Sequence, residues 1–484
     1  MHNMVEYTRT KMKELRFMGI NATLTRADER FLKKSLNGPV WKVILSIGTP
    51  LALYEGLSML FAILDTMMAA HISKESVSAV AYLTQINGIL SSVGGGLAVG
   101  ASILISHAYG SGDYPLVRRM VSSLYVLCLA VGLAMLALIL PFTGQFLRLA
   151  GTPDSLITIG SQYFVVQMFV MVVTFLNNVY IAVERARGNA KLIFRLNLMT
   201  IFVKLSLTAY FVYVIHSGLV MIALASLASQ CALLAVAVRN SVFCESAFSF
   251  SAKAVTFRRE ITLPMLERSV PVMAEKALFS FGKTIVNAMC TFYGDVMVGA
   301  MGISNNLGGI TTNPQFGYQE GAQAIISQNL GAGKRKRVLE AFYATLVIEV
   351  ILSTVISGLE LWQLDWLAGL FDSGSSEFHR MIMTVYRYEA LGAVPLGINS
   401  AVMALLYGLG KTKLTLLLNV SRVFVFRIPL FWFLQHCTTI GEASVGIVMM
   451  ASNISITVMA VVIGVIVIHK FKTESGFAFS EDAN

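Results

Sequence analysis

The chain has 484 residues, of which 56% are hydrophobic and only 13% charged. A water-soluble domain carries about 25% charged residues, so most of this chain cannot face water, and a soluble multidomain protein is excluded. The formal net charge of +10 is spread over loops and termini, which argues against nucleic acid as a partner.

In chain order, residues 1–39 form a basic, amphipathic tail. It lacks the apolar stretch and small-residue cleavage site of a secretory signal, and a position along the cytoplasmic membrane surface is expected. Apolar runs then recur at about the 20 residues a helix needs to cross hydrocarbon. Six lie near Val40–Met68, Val77–His107, Met120–Phe142, Leu156–Val183, Leu192–Ile215 and Gly218–Val238, and together make a bundle over 40–240. Residues 241–267 read as a cytoplasmic linker. Six more runs, near Ser269–Cys290, Gly302–Gln328, Ala341–Trp362, Ile382–Tyr407, Leu414–Leu434 and Gly446–Ile468, make a second bundle over 268–469. Residues 470–484 remain as a cytoplasmic tail. The five cysteines show no CxxC spacing, so no disulfide framework or metal site is expected.

Lysine and arginine set the orientation, because cytoplasmic loops retain them. The termini and even-numbered loops, with the span ends beside them (Lys42 and Arg195), hold 28 of the 37, including Arg118 and Arg119, Arg185 to Arg195, and the run Lys334–Arg337. Odd-numbered loops hold Lys74, Arg148 and Arg380. Both termini are therefore expected in the cytoplasm, in a multi-pass protein of the cell inner (plasma) membrane.

The two halves repeat. At an offset of 221 residues Pro50 matches Pro271, Gly96 matches Gly317, Gly100 matches Gly321, and Gly110-x-Gly112 matches Gly331-x-Gly333; at 222, Gly188 matches Gly410 and Lys191 matches Lys413. Six spans per copy is an even number, so both copies enter from the same side. The expected fold is an all-α membrane protein of twelve transmembrane helices, in two six-helix bundles related by a pseudo-twofold axis along the membrane normal. The glycines at four-residue spacing let helices approach closely.

Several segments then resemble one family. They are Pro50 followed by Leu64-Asp65-Thr66-Met67-Met68-Ala69-Ala70, the glycine loops Ser106–Gly112 and Ser327–Lys334, the segment Arg185–Lys191, and Arg422–Pro429. In order and spacing, from about Pro39 to His469, they resemble the multidrug and toxic compound extrusion (MATE) family, prokaryotic type. The resemblance implies a twelve-helix antiporter exporting organic molecules, usually amphipathic cations, against inward flow of H⁺ or Na⁺. By position, Asp65 corresponds to the family's membrane-embedded ion-coupling carboxylate.

The intramembrane charges are the other source of function. An ionisable group at bilayer depth costs at least ~2.5–3.5 kcal/mol, so it normally faces a cavity or a partner. Glu55 lies ten residues before Asp65, about 80° away around the helix, so the two line adjoining faces of one cavity. Many prokaryotic members carry Asn and, four residues later, Asp in the fifth span; here those positions hold Lys204 and Thr208, which weakens any carried-over Na⁺ site. Pairing of Lys204 with Asp65 or Glu55 is expected, leaving H⁺ as coupling ion ahead of Na⁺. Thr208, Lys276, Lys283, Asn287, Glu320 and Glu389 complete the expected substrate cavity. The lysines either neutralise Glu275, Glu320 and Glu389 or point to an anionic or zwitterionic substrate. Arg422 and Arg427 read as structural.

Gly410-Lys411-Thr412 lacks the upstream glycine of a phosphate-binding loop, and no HExxH is present, so neither a cofactor nor enzymatic activity is expected. The partners expected are a small-molecule substrate, a coupling cation and the lipid bilayer, with the chain acting as a monomer. A MATE-like flippase for a lipid-linked saccharide or another anionic amphiphile is the alternative within transport. An intramembrane enzyme or a scaffold is the alternative outside it; the first lacks facing His, Asp or Ser sets, and the second would not need so many buried charges.

Overall fold

The computed structural model describes residues 23–70, 74–150, 152, 154–243, 246–371 and 375–473, and these are almost entirely helical. Helix is the form that satisfies every backbone group within its own segment, which lipid requires. A short helix α1 (Arg26–Asn37) comes first, closed by a reciprocal cap: the Asp28 N–H donates to the Thr25 hydroxyl, and the Thr25 N–H donates to the Asp28 carboxylate.

The first bundle contains α2 (Val40–Ala70), α3 (Lys74–Gly110), α4 (Tyr114–Ile139) running through a 3₁₀ turn into α5 (Thr143–Leu149), α6 (Asp154–Ala186), α7 (Ala190–Ala209) ending in a π turn, and α8 (Leu219–Phe243). The second contains α9 (Arg259–Cys290), α10 (Asp295–Gly331), α11 (Arg335–Trp362) and the short α12 (Leu364–Gly369). Next come α13 (Ser376–Leu391) and α14 (Ala393–Gly408), two arms of one span bent by 44°. Then α15 (Thr412–Val420) joins α16 (Ile428–Cys437) through a π segment, Ser421–Arg427, and α17 (Ala443–Thr473) ends the bundle. The twelve spans are α2, α3, α4–α5, α6, α7 and α8, then α9, α10, α11, α13–α14, α15–α16 and α17.

Among the described residues, eight helices are long and apolar enough to cross a membrane, or nine with the bent pair counted. Two of the remainder, α9 and α10, carry charged and amide residues within their spans: Glu275, Lys276 and Lys283 on one, and Gln315, Gln319, Glu320 and Gln323 on the other. Such side chains are tolerated at depth where they face protein or a cavity rather than lipid.

The repeat is present in the packing itself. A Cβ on Gly96 would lie 2.5 Å from Met273 and one on Gly100 2.4 Å from Ser269, where α3 meets α9. Shifted by 221 residues with the bundles exchanged, Gly317 meets Ala52 at 2.4 Å and Gly321 meets Ile47 at 3.1 Å, where α10 meets α2. The turns match too, since Gly112 and Gly333 have φ of 79° and 76°, and Gly188 and Gly410 have 82° and 69°. Left-handed backbone is costly for residues with a Cβ, which explains glycine at both copies of each turn.

Candidate functional site: a cavity between the bundles

A cavity of about 430 Å³ lies between the bundles. On α2, Leu51, Tyr54 and Glu55 face it at the i, i+3, i+4 spacing of one helical side. The opposite wall, from α3, is built of Gly88, Ser91, Ser92 and Gly95, whose small side chains leave the space open. Arg185 enters from α6, Asn197 from α7, Lys276 and Phe279 from α9, and Glu320 from α10. Arg185 and Glu320 form an ion pair across the bundle boundary, with side chains only 11% and 22% exposed. Glu55 lies within electrostatic reach of Glu320, Arg185 and Lys276. Among the described residues, two carboxylates and two cations therefore line this cavity, and that lining is balanced in charge.

One end of this cavity is sealed. At the end bearing the basic loops, α3 crosses α10 so closely that a Cβ on Gly110 would sit 2.0 Å from the Gln328 carbonyl oxygen, and one on Gly331 2.0 Å from that of His107. The Ser327 hydroxyl donates to the Ile103 carbonyl (2.7 Å), and the Gln328 amide donates to the Ala186 carbonyl (2.6 Å). Helix α1 lies over this seam and holds both bundles. Asp28 takes both Nε and Nη2 of Arg187 on one side, while Ser35 donates to Gln328 and Lys334 donates to the Leu36 carbonyl on the other. Phe31 packs against Gly188, where any Cβ would meet its ring at 2.0 Å.

Of the site residues expected from sequence, the fold brings Glu55, Lys276 and Glu320 together in the cavity. The Asp65 side chain lies outside the described residues, although its backbone continues α2. Lys204 is half-buried on α7 and is absent from the cavity wall. Arg185 and Lys276 act on Glu55 within this cavity; the Asp65 carboxylate, the other expected partner of Lys204, falls outside the described residues. Thr208 is fully buried, with no hydrogen-bond partner for its hydroxyl among the described residues, and Asn287 is half-buried; neither lines this cavity. Lys283 and Glu389 belong to a second polar group in the other bundle. Glu275 points away from the cavity and accepts from Tyr407 (2.5 Å), Thr415 (2.7 Å) and Asn419 (2.6 Å).

The residue that the sequence count misplaces is Arg185. It falls among the loop cations by charge distribution, yet it occupies the last turn of α6 and pairs with Glu320. The available signal was Glu320 itself, a carboxylate within an apolar run that required a cation.

The MatE family model matches this chain twice, over residues 50–211 and 271–433, which are the two copies of the repeat. Among curated proteins, the chain is 20% identical to "Probable multidrug resistance protein YoeA" of Bacillus subtilis, over 84% of this chain and 89% of that one. It is 22% identical to "Multidrug export protein MepA" of Staphylococcus aureus, over 66% and 71%. Among solved structures, an outward-facing multidrug resistance MATE family transporter of the MOP superfamily superposes with a TM-score of 0.87, at 18% identity, over 93% of this chain and all of that one. A MATE structure in complex with MaL6 gives the same values. At that identity the structures establish the fold, and the doubled family match establishes the lineage: the chain belongs to the multidrug and toxic compound extrusion (MATE) family of membrane transporters.

Proposed function

We propose that this protein is a secondary active exporter, moving small organic molecules out of the cell by alternating access in exchange for H⁺. The observation that carries the reading is the cavity itself: a charged chamber at the boundary of two repeated bundles, with one end sealed by contacts that cross that boundary. With the basic loops in the cytoplasm, the sealed end is the inner one and the conformation is outward-facing. Release of the seam and of α1 would open the chamber inward.

In this reading Glu55 and Asp65, on one helix, carry the coupling charge, and Lys204 acts as a counter-charge on α7. H⁺ is favoured over Na⁺ because Arg185 and Lys276 already stand beside Glu55. A sodium ion there would meet the like charge of two cations. Protonation of a carboxylate removes its attraction for those cations and shifts the balance between the two openings. The protein would sit in the inner (plasma) membrane with both termini in the cytoplasm, bundles over 40–240 and 268–469, and function as a monomer.

The test is transport in reconstituted liposomes with imposed gradients. A pH gradient should drive uptake of a fluorescent organic solute, and Asp65→Asn and Glu55→Gln should each abolish the driven component. Full-rate transport on a sodium gradient at fixed pH would contradict H⁺ coupling. Unimpaired transport by Asp65→Asn would remove that residue from the mechanism.

A further inference from the structure

The second bundle holds a charged group that the coupling scheme does not use. Lys283 on α9, Arg422 and Arg427 on the π segment, and Glu389 at the end of α13 lie within electrostatic reach of one another. The group lies beyond the cavity wall, further along α9. Lys276, Phe279 and Ser280 line the cavity, and Lys283, seven residues after Lys276, projects about 20° from it around the helix. Lys283 is also exposed. Phe279 joins the two regions, since the Arg422 guanidinium stands 5.5 Å from its ring centroid.

Two irregularities of the backbone build this group. In a regular α-helix Arg422 and Arg427 would diverge by about 140°. The π segment, bonded from i to i+5, turns both to one side. There Arg422 Nε and Nη2 (3.2 and 2.9 Å) and Arg427 Nη2 (3.1 Å) all donate to Oδ1 of Asn453, and Arg427 Nε donates to the Ser452 hydroxyl (3.0 Å). Asn453 in turn crowds Gly392, at the 44° bend between α13 and α14. Just before that bend stands Glu389, which accepts from the Ser304 hydroxyl (2.5 Å).

The arginines thus use neutral acceptors. Among the described residues, no carboxylate lies within ion-pair distance of Lys283, Arg422 or Arg427. Among the described residues, these three cations have one carboxylate, Glu389, within electrostatic reach, with Glu360 beyond it, whereas the cavity lining around Glu55 is balanced. An uncompensated charge in a half-enclosed site is costly, and a bound anion would offset it.

We propose that Lys283 and Arg422 form an anion subsite of the transport cavity. The transported molecule carries a carboxylate or phosphate that docks there, with its apolar body against Phe279. Charge-assisted hydrogen bonds from a guanidinium and an ammonium suit an oxyanion, and a cationic solute would meet like charge. The inference rests on the transport reading above and names its substrate class as organic anions and zwitterions.

The test compares two xanthene dyes of similar body and opposite charge, carboxyfluorescein and a cationic rhodamine, titrated against the purified full-length protein by fluorescence polarisation. The wild type should bind the anionic dye about tenfold or more tightly than the cationic one, and Lys283→Gln and Arg422→Gln should each erase about tenfold of that ratio. Lys283→Arg should restore it. A single gel-filtration peak and an unshifted melt verify that each variant is folded. Preference of the wild type for the cationic dye, or an anion preference that neither substitution moves, overturns the subsite. The same protein in liposomes separates the two claims. Anion-selective binding with no gradient-driven movement refutes transport and keeps the subsite, whereas driven movement of the rhodamine alone refutes the subsite and keeps transport. Competition identifies the source of the anion. Displacement by phosphatidylglycerol alone assigns a lipid headgroup, displacement by benzoate or inorganic phosphate assigns a soluble anion, and displacement by none of them overturns the proposal.

Discussion

A single methyl group at position 331 should shift the protein between its two openings. In Gly331→Ala the new Cβ would stand 2.0 Å from the His107 carbonyl oxygen, whereas ordinary contact begins near 3.4 Å. Neither partner can yield cheaply, because the atom encountered is helix backbone rather than the tip of a flexible side chain. The two bundles must separate by roughly an ångström, and crowding of this kind costs about 1–3 kcal/mol. That cost falls on the sealed state only, since the contact crosses the bundle boundary and each bundle keeps its own packing. The population with an opened seam should therefore rise about 5–150-fold. Gly110→Ala should act alike, because its Cβ meets the Gln328 carbonyl oxygen at the same 2.0 Å. Hydrogen–deuterium exchange with mass spectrometry reads the effect, since amide exchange follows the population of locally opened states. Peptides covering 103–113 and 325–334 should exchange faster by the same factor, with the rest of both bundles unmoved. Gly144→Ala is the control, because nothing lies within 4 Å of its Cβ position. Unchanged exchange at the seam in both variants would refute the reasoning, and so would a uniform rise across both bundles, which reports general loosening.

Three further outcomes follow from the same geometry. Glu320→Gln leaves Arg185 without its carboxylate in a mostly buried setting, and a loss of about 3–5 kcal/mol is expected. A thermal-melt double-mutant cycle with Arg185→Gln should show coupling of about 1–3 kcal/mol, and strict additivity would deny the pair. Asp28→Asn removes the charge that the Arg187 fork grips, weakening the docking of α1 by about 1.5–3 kcal/mol. Amide exchange over 26–37 should accelerate while the spans stay protected, and an unchanged α1 would show that the fork holds nothing. Gly188→Ala combines a φ of 82° with a Cβ 2.0 Å from the Phe31 ring, so it should loosen α1 at least as much. Unaltered exchange in α1 would count against Phe31 as its anchor.

Much of the architecture is legible in the sequence because lipid imposes strong constraints. Apolar runs of membrane-crossing length, the twofold offset of glycines and prolines, and the turn glycines Gly112, Gly188, Gly333 and Gly410 each reflect a local requirement of backbone or solvent. The family follows from the same residues in order. The intramembrane location of Glu55, Lys276 and Glu320 was equally readable, since an ionisable residue within an apolar run is conspicuous wherever it points.

Which charges meet was decided by the tertiary structure. Arg185 and Glu320 are far apart in the chain and belong to different bundles, and only the crossing of the repeats makes them partners. The same holds for Arg422 and Arg427, whose five-residue spacing separates them on a regular helix. A π segment, with Asn453 from another helix, gathers them on one side. Hydropathy and motif spacing describe a residue against its neighbours in sequence. Electrostatic pairing depends on a few ångströms between helices, and those distances are set by glycines, bends and helix ends acting together.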